Sequence, residues 1–129
     1  MSTVDSMSRM SPPLQEPTFF ILTALAGEPM HGYGLLQAVI ELSDQRIKLS
    51  AGTLYPALDR LTQEGLITVA REEVVGSRLR RYYELTDSGA TRLADEVARL
   101  TVNAGMASRS LAARSRRVSP RTRILGATS

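Results

Sequence analysis

Three arginines crowd into four positions of this chain, Arg78, Arg80 and Arg81, just after a Gly76-Ser77 pair, and Tyr82 follows them directly. Guanidinium groups at that density beside a tight turn suit an anionic polymer, whose phosphates they grip or whose minor groove they enter. A short charge run is equally a solvated hairpin, so the cluster needs a companion. One lies upstream, where Ser50, Ala51, Gly52 and Thr53 open a helical pattern. Small residues at a helix start allow close approach, and the free N–H groups there favour phosphate. Thr53 can bond a phosphate or a base edge, and Tyr55 can offer its hydroxyl to a sugar–phosphate backbone. Pro56 shares the outward side, and Arg60 reaches phosphate or guanine. The plainer reading makes Thr53 a helix cap and Tyr55 packing beside Leu54.

His31-Gly32-Tyr33 opens another helical pattern. His31 can cap that helix, whose N-terminus would touch a phosphate in a helix-turn-helix arrangement; a local capping or packing role explains it equally. Catalysis would require a partnered nucleophile or carboxylate, and no such pairing is evident. With no cysteine and one histidine, disulfides, thiolate metal sites and multi-histidine metal sites are excluded. Neither an enzyme nor a cofactor is expected.

These residues need elements to hold them. Residues 1–15, rich in Ser, Met and Pro, read as a disordered extension. A first helix opens near Glu16–Pro17, because proline suits a first turn, and it ends at Gly27 and Pro29. A second spans 31–42, with Leu36 and Ile40 four apart. The alternation Arg46-Ile47-Lys48-Leu49 predicts a very short strand. A third helix runs from 50–53 to Gly65 on a core face of Leu54, Leu58 and Leu61. Pro56 is awkward in a helix interior, and the conflict shrinks if the regular part starts at Thr53, which leaves the proline in the first turn. Strands are expected over 66–73 and 79–85, with Tyr83 facing the core and Tyr82 turned outward. Thr86 is a good N-cap for the last helix. There Leu93, Val97, Leu100, Ala104, Ala107 and Leu111 recur at three- and four-residue spacing, the seam of a paired helix. The early part of that stripe can pack on the domain and the rest on a second subunit.

The order is helix, helix, short strand, helix, hairpin, helix: a mainly α chain with a small β-hairpin, matching a winged helix-turn-helix followed by a long C-terminal dimerisation helix. The expected divisions are an extension over 1–15, a DNA-binding domain over 16–85, a dimerisation helix over 86–111 and a flexible tail over 112–129. Net charge is +3, yet residues 1–106 carry ten basic against thirteen acidic side chains, while 107–129 carry six arginines and no acid. The tail, not the folded part, makes the chain basic. As a charge run the tail has three readings: a solvated end, an extra nucleic-acid arm, or an anionic-membrane contact, the last disfavoured by its few large apolar residues. The apolar runs are too short to span a bilayer and no leader pattern opens the chain, so a cytoplasmic protein is expected.

Three motifs in order carry a more specific likeness: His31-Gly32-Tyr33, then Ser50-Ala51-Gly52-Thr53-Leu54-Tyr55-Pro56, then Gly76-Ser77-Arg78-Leu79-Arg80-Arg81-Tyr82-Tyr83-Glu84-Leu85-Thr86 with Gly89. Together they resemble the PadR family of winged helix-turn-helix transcriptional regulators, in its subfamily with a short C-terminal part, over roughly residues 19–100. Gly34, Ala51 and Leu79 depart from the family pattern without removing a base-reading or phosphate-binding group. The resemblance implies a homodimer on a double-stranded, pseudo-palindromic operator and repression relieved by a small effector of unknown identity. Some relatives stack flat aromatic compounds on tryptophan at the dimer interface; this chain has no Trp, so that mode does not transfer. Two other readings stay open: a winged helix that binds protein instead of DNA, and an RNA-associated protein acting through the basic tail.

Overall fold

The computed structural model of the chain describes residues 12–128, with side chains described through residue 118. Residues 1–11, most of the expected N-terminal extension, lie outside the described residues, as do the side chains of Arg121 and Arg123 in the expected tail. The element order is α1 (Glu16–Gly27), β1 (Met30–His31), α2 (Gly32–Leu42), α3 (Ala51–Gln63), β2 (Ile67–Val75), β3 (Arg78–Leu85) and α4 (Asp87–Thr128). Two units result, Met1–Glu96 and Val97–Ser129. In the first, helices pack on a three-stranded antiparallel sheet of order β1-β3-β2. Its core takes Ile21, Leu22 and Leu25 from α1, Leu35 and Val39 from α2, Leu54, Leu58 and Leu61 from α3, and Ile67 and Tyr83 from the sheet. Leu93 is partly buried against this same core, as expected for the early part of the stripe.

Helix α3 begins at Ala51, within the expected 50–53, and so holds Pro56 in its interior rather than in a first turn opened at Thr53. Proline there costs about 3 kcal/mol. Burial of Leu54, Leu58 and Leu61 returns about 1.5–3 kcal/mol each, so the helix persists. The Ser50 hydroxyl starts it, accepting from the Thr53 N–H at 3.2 Å, and Gly65 ends it with φ of +79°.

The strand expected over 46–49 does not form. Ser43 is buried, and its hydroxyl accepts from the Ile47 N–H at 2.9 Å while donating to the Ile40 carbonyl at 3.3 Å. The N–H that a ladder would need is thereby taken. Asp44 and Gln45 turn the chain with φ of 55° and 68°, and Arg46 pairs with Glu16 of α1 at 2.7 Å. The third strand is instead β1, which pairs Met30 with Tyr83 and His31 with Tyr82.

The hairpin β2–β3 turns on Gly76-Ser77. Only Gly76 of the two has positive φ, +66°, as the first position of a type II′ turn requires. Its register runs from Val75 opposite Arg78 to Ile67 opposite Leu85, with one bulge at Ala70 between Val69 and Arg71. Thr86 caps α4, accepting from the Gly89 N–H at 3.0 Å and donating to the Gly65 carbonyl at 2.6 Å. A Cβ at Gly89 would collide with the Leu66 carbonyl oxygen and come within 2.7 Å of Leu85, which explains the glycine of the third motif. Residues 12–15 lie on the start of α4: the Leu14 N–H donates to the buried Glu96 carboxylate at 3.2 Å, and Arg92 donates to the Pro12 carbonyl at 3.1 Å. From Val97 on, α4 is described by itself. It continues helical to Thr128, beyond Leu111 where the apolar spacing stops.

His31 caps α2: its Nδ1 accepts from the Gly34 N–H at 3.3 Å, so the neutral ring carries its proton on Nε2. Its pKa is held below the ordinary 6.5, first by burial and then by the Arg80 charge, with Glu73 opposing. A proton on Nδ1 would break the cap. Because the folded value lies below the unfolded one, the stability linked to His31 is present above pH 6.5 and is lost as pH falls from there through the folded value. His31→Asn keeps a capping acceptor and does not titrate. The wild type should therefore lose stability relative to His31→Asn between pH 7.5 and 5, as measured by urea unfolding. Parallel pH profiles for the two proteins would contradict this account of the cap.

Candidate nucleic-acid interface

The start of α2, one side of α3 and the wing β2–β3 meet around a hollow of about 510 Å³, lined among others by His31, Tyr33, Tyr55, Asp59, Arg78, Leu79, Arg80 and Arg81. Two close contacts set its geometry. Gly32 is buried, and a Cβ on it would overlap the Tyr55 hydroxyl and lie 2.7 Å from the ring carbon that bears it. Tyr55 thus seats α2 on α3 while remaining 47% exposed, so its packing and surface readings both hold. On the other side the His31 ring stands edge-on to Tyr82 with centroids 5.2 Å apart, which joins the α2 cap to the wing.

The first turn of α3 presents its polar groups outward. The Ser50 hydroxyl donates to the Thr53 hydroxyl oxygen at 3.2 Å, which leaves the proton of Thr53 available to an outside acceptor. The cap is therefore Ser50, and Thr53 is its partner. Pro56 has no N–H, so the carbonyl of Gly52 lacks the donor four residues on. Gly52, Thr53 and Pro56 are all exposed, and Tyr33 is 66% exposed.

The wing arginines divide into two kinds. Arg81 is paired with Glu72 at 2.8 Å, which raises its pKa. Tyr82 donates its hydroxyl to Glu73 at 3.1 Å and carries Arg71 over its ring at 3.8 Å, with Arg71 and Glu73 themselves 3.6 Å apart. Arg81 and Tyr82, both expected to contact DNA, have these partners within the wing. Arg78 and Arg80 form no ion pair among the described residues and are the cations left for a ligand. The pairing of Arg81 was legible: a two-residue turn at Gly76-Ser77 puts Glu72 directly opposite it. Arg60 does not join this hollow. It lines another one, of about 390 Å³, with Gln15, Thr18, Glu64 and Arg92, on the flank of α3 away from the wing. In its place the hollow takes Asp59, a carboxylate.

Among the described residues no group of three or more His, Cys, Asp or Glu side chains could hold a metal, and no helix is long and apolar enough to cross a membrane. The arrangement offers a helix N-terminus with a free hydroxyl, flanked by two unpaired guanidiniums.

Comparison with known proteins agrees with that reading. The model of the transcriptional regulator PadR-like family matches residues 21–95. The chain is 41% identical to the transcriptional regulator Rv3488 of Mycobacterium tuberculosis over 76 residues, 59% of this chain and 67% of the relative. It is also similar to a PadR family transcriptional regulator from Eggerthella lenta, with 30% identity, a TM-score of 0.59, and 84% and 91% of the two chains covered. Bacillus subtilis PadR, solved in complex with operator DNA, is 31% identical with a TM-score of 0.59 over 67% of this chain and 48% of that one. The motifs, the winged-helix topology and these likenesses converge: the chain belongs to the PadR-like family of DNA-binding transcriptional regulators.

Proposed function

We propose that this regulator represses transcription as a homodimer on a pseudo-palindromic operator, with the first turns of each α3 in a major groove and the wing beside it. Half-site centres then stand about 10 bp apart, one helical turn. The observation that carries the reading is Gly52. It is exposed, and a Cβ there would meet only the Ser50 Oγ at 3.8 Å. Its own fold does not need glycine at this position, and helix stability opposes it by about 0.5–1 kcal/mol relative to alanine. A bare backbone on the outward side, one turn before Tyr55, is what close approach of a duplex asks for. Ser50, Thr53 and Pro56 contact the groove. The cap formed by His31 and Tyr33 meets a phosphate, Arg60 reaches the flanking backbone, and Arg78 and Arg80 hold the adjoining strand. Tyr82 and Arg81 shape the wing. A DNA target places this work in the cytoplasm.

The dimer uses the later part of α4. Val97, Leu100 and Leu111 are 48%, 46% and 66% exposed, and with Ala104 and Ala107 they keep the alternating spacing of a paired helix. An apolar stripe of that length on a lone helix calls for a cover, and a second copy supplies an identical one. Repression relieved by a small effector completes the reading, supported by family membership.

Two outcomes test the proposal. Gly52→Ala should stabilise the fold by about 0.5–1 kcal/mol in urea unfolding while weakening binding to promoter DNA at least tenfold in a shift assay; undiminished binding would remove the α3 start from the interface. Leu100→Asp would bury a carboxylate in the seam at about 3 kcal/mol or more. Light scattering should then report monomers at micromolar protein; a persistent dimer would place the interface elsewhere.

A further inference from the structure

Asp59 is the one carboxylate in the thirteen residues of α3, and the fold offers no reason for it. It is exposed and, among the described residues, has no hydrogen bond or ion pair. Helical neighbours at three and four residues are Tyr55, Pro56, Thr62 and Gln63, none of them a cation, so no pairing along the helix supports it. Arg60 is one residue on and faces away. A mid-helix position also takes nothing from the helix dipole, which acts only at the ends. Yet Asp59 lines the hollow that Arg78 and Arg80 share with Tyr55. A carboxylate on a surface that meets a polyanion opposes binding wherever it faces phosphate. It is favourable only where a donor awaits it.

We infer that Asp59 reads one base pair in each half-site, accepting a hydrogen bond from the exocyclic amino group of a cytosine in the major groove. Among base edges there, cytosine N4 is the donor that carboxylates match; adenine N6 is a donor too, but the N7 acceptor beside it suits an amide rather than a carboxylate, and guanine and thymine present acceptors that would repel it. At 1.5 Å per residue, Asp59 stands about 12 Å along the helix from Ala51. Its base pair therefore lies deeper in the half-site than those met by Gly52 and Thr53. Asp59 is attracted most by cytosine and is opposed by guanine, by thymine and by the phosphates, so it sharpens specificity while lowering nonspecific affinity. Arg78 and Arg80, close by in the wing, offset its charge against the flanking phosphates. This inference rests on the operator reading above.

The test is selection from a random duplex pool with the full-length wild type and with Asp59→Asn and Asp59→Ala, followed by titration of the enriched sites. Because Asp59 is exposed and unpaired, both variants should keep the wild-type circular dichroism and melting behaviour. The wild type should enrich a C·G pair at one fixed position per half-site. Asp59→Asn should lose that preference, turning toward adenine as the amide's donor and acceptor allow, with every other position unchanged. On the wild-type site the variants should bind roughly tenfold more weakly. An identical motif for all three proteins, or uniformly tighter binding by the variants with no change of motif, would overturn the inference and leave Asp59 as a simple electrostatic brake. Failure of the wild type to enrich any motif would defeat the operator reading itself, and this inference with it.

Discussion

The surface formed by α2, α3 and the wing is organised around the close approach of α2 to α3. Gly32 lies so near Tyr55 that one added methyl group would overlap the phenol. The contact sets where α2 begins, and the residues on either side of Gly32 then inherit their places. His31 turns its ring to accept the Gly34 N–H and meets Tyr82 edge-on. Met30 and His31 pair with the wing as a third strand. Two helices and a hairpin are thereby aligned from one point.

Charge on this face is arranged as much by what is neutralised as by what is left over. Residues 1–106 are net acidic, so attraction for a polyanion must be local. Exposed pairs such as Arg81–Glu72 and Arg71–Glu73 contribute about 0–1 kcal/mol each to stability. Their larger effect is to keep two guanidiniums and the Tyr82 hydroxyl occupied within the wing. Arg78 and Arg80, nearer the turn, stay available. The same economy holds at the start of α3, where the Ser50 hydroxyl is used on Thr53 and the proton of Thr53 is left over.

Features set by local chemistry were legible before any coordinates. The 4-3 spacing of Leu54, Leu58 and Leu61, the cap at Thr86, the inward Tyr83 and the glycine turn of the wing all follow from rules that act over a few residues. What escaped depends on partners that the spacing of polar and apolar residues does not report. A two-residue strand has no periodicity to detect, so β1 was invisible until β3 stood beside it. The polar–apolar alternation at 46–49 was real, but Ser43 had already taken the N–H of Ile47. Arg60 looked equivalent to its neighbours on a helical projection, which carries no information about which flank the wing occupies. Asp59 carries no sequence signal of this kind, because a lone carboxylate beside arginines reads as an ordinary solvated residue until the fold sets it in the hollow.

The central claim is that the outward turns of α3 and the two unpaired wing arginines engage one duplex together. It is tested most directly by the salt dependence of binding to the chain's own promoter DNA, compared between the wild type and the double variant Arg78→Ala/Arg80→Ala. The double variant should bind more weakly, and its plot of log affinity against log salt should be shallower by about 0.9 for each phosphate that is no longer neutralised. Equal affinity and an equal slope for the two proteins would contradict the claim and take the wing off the DNA.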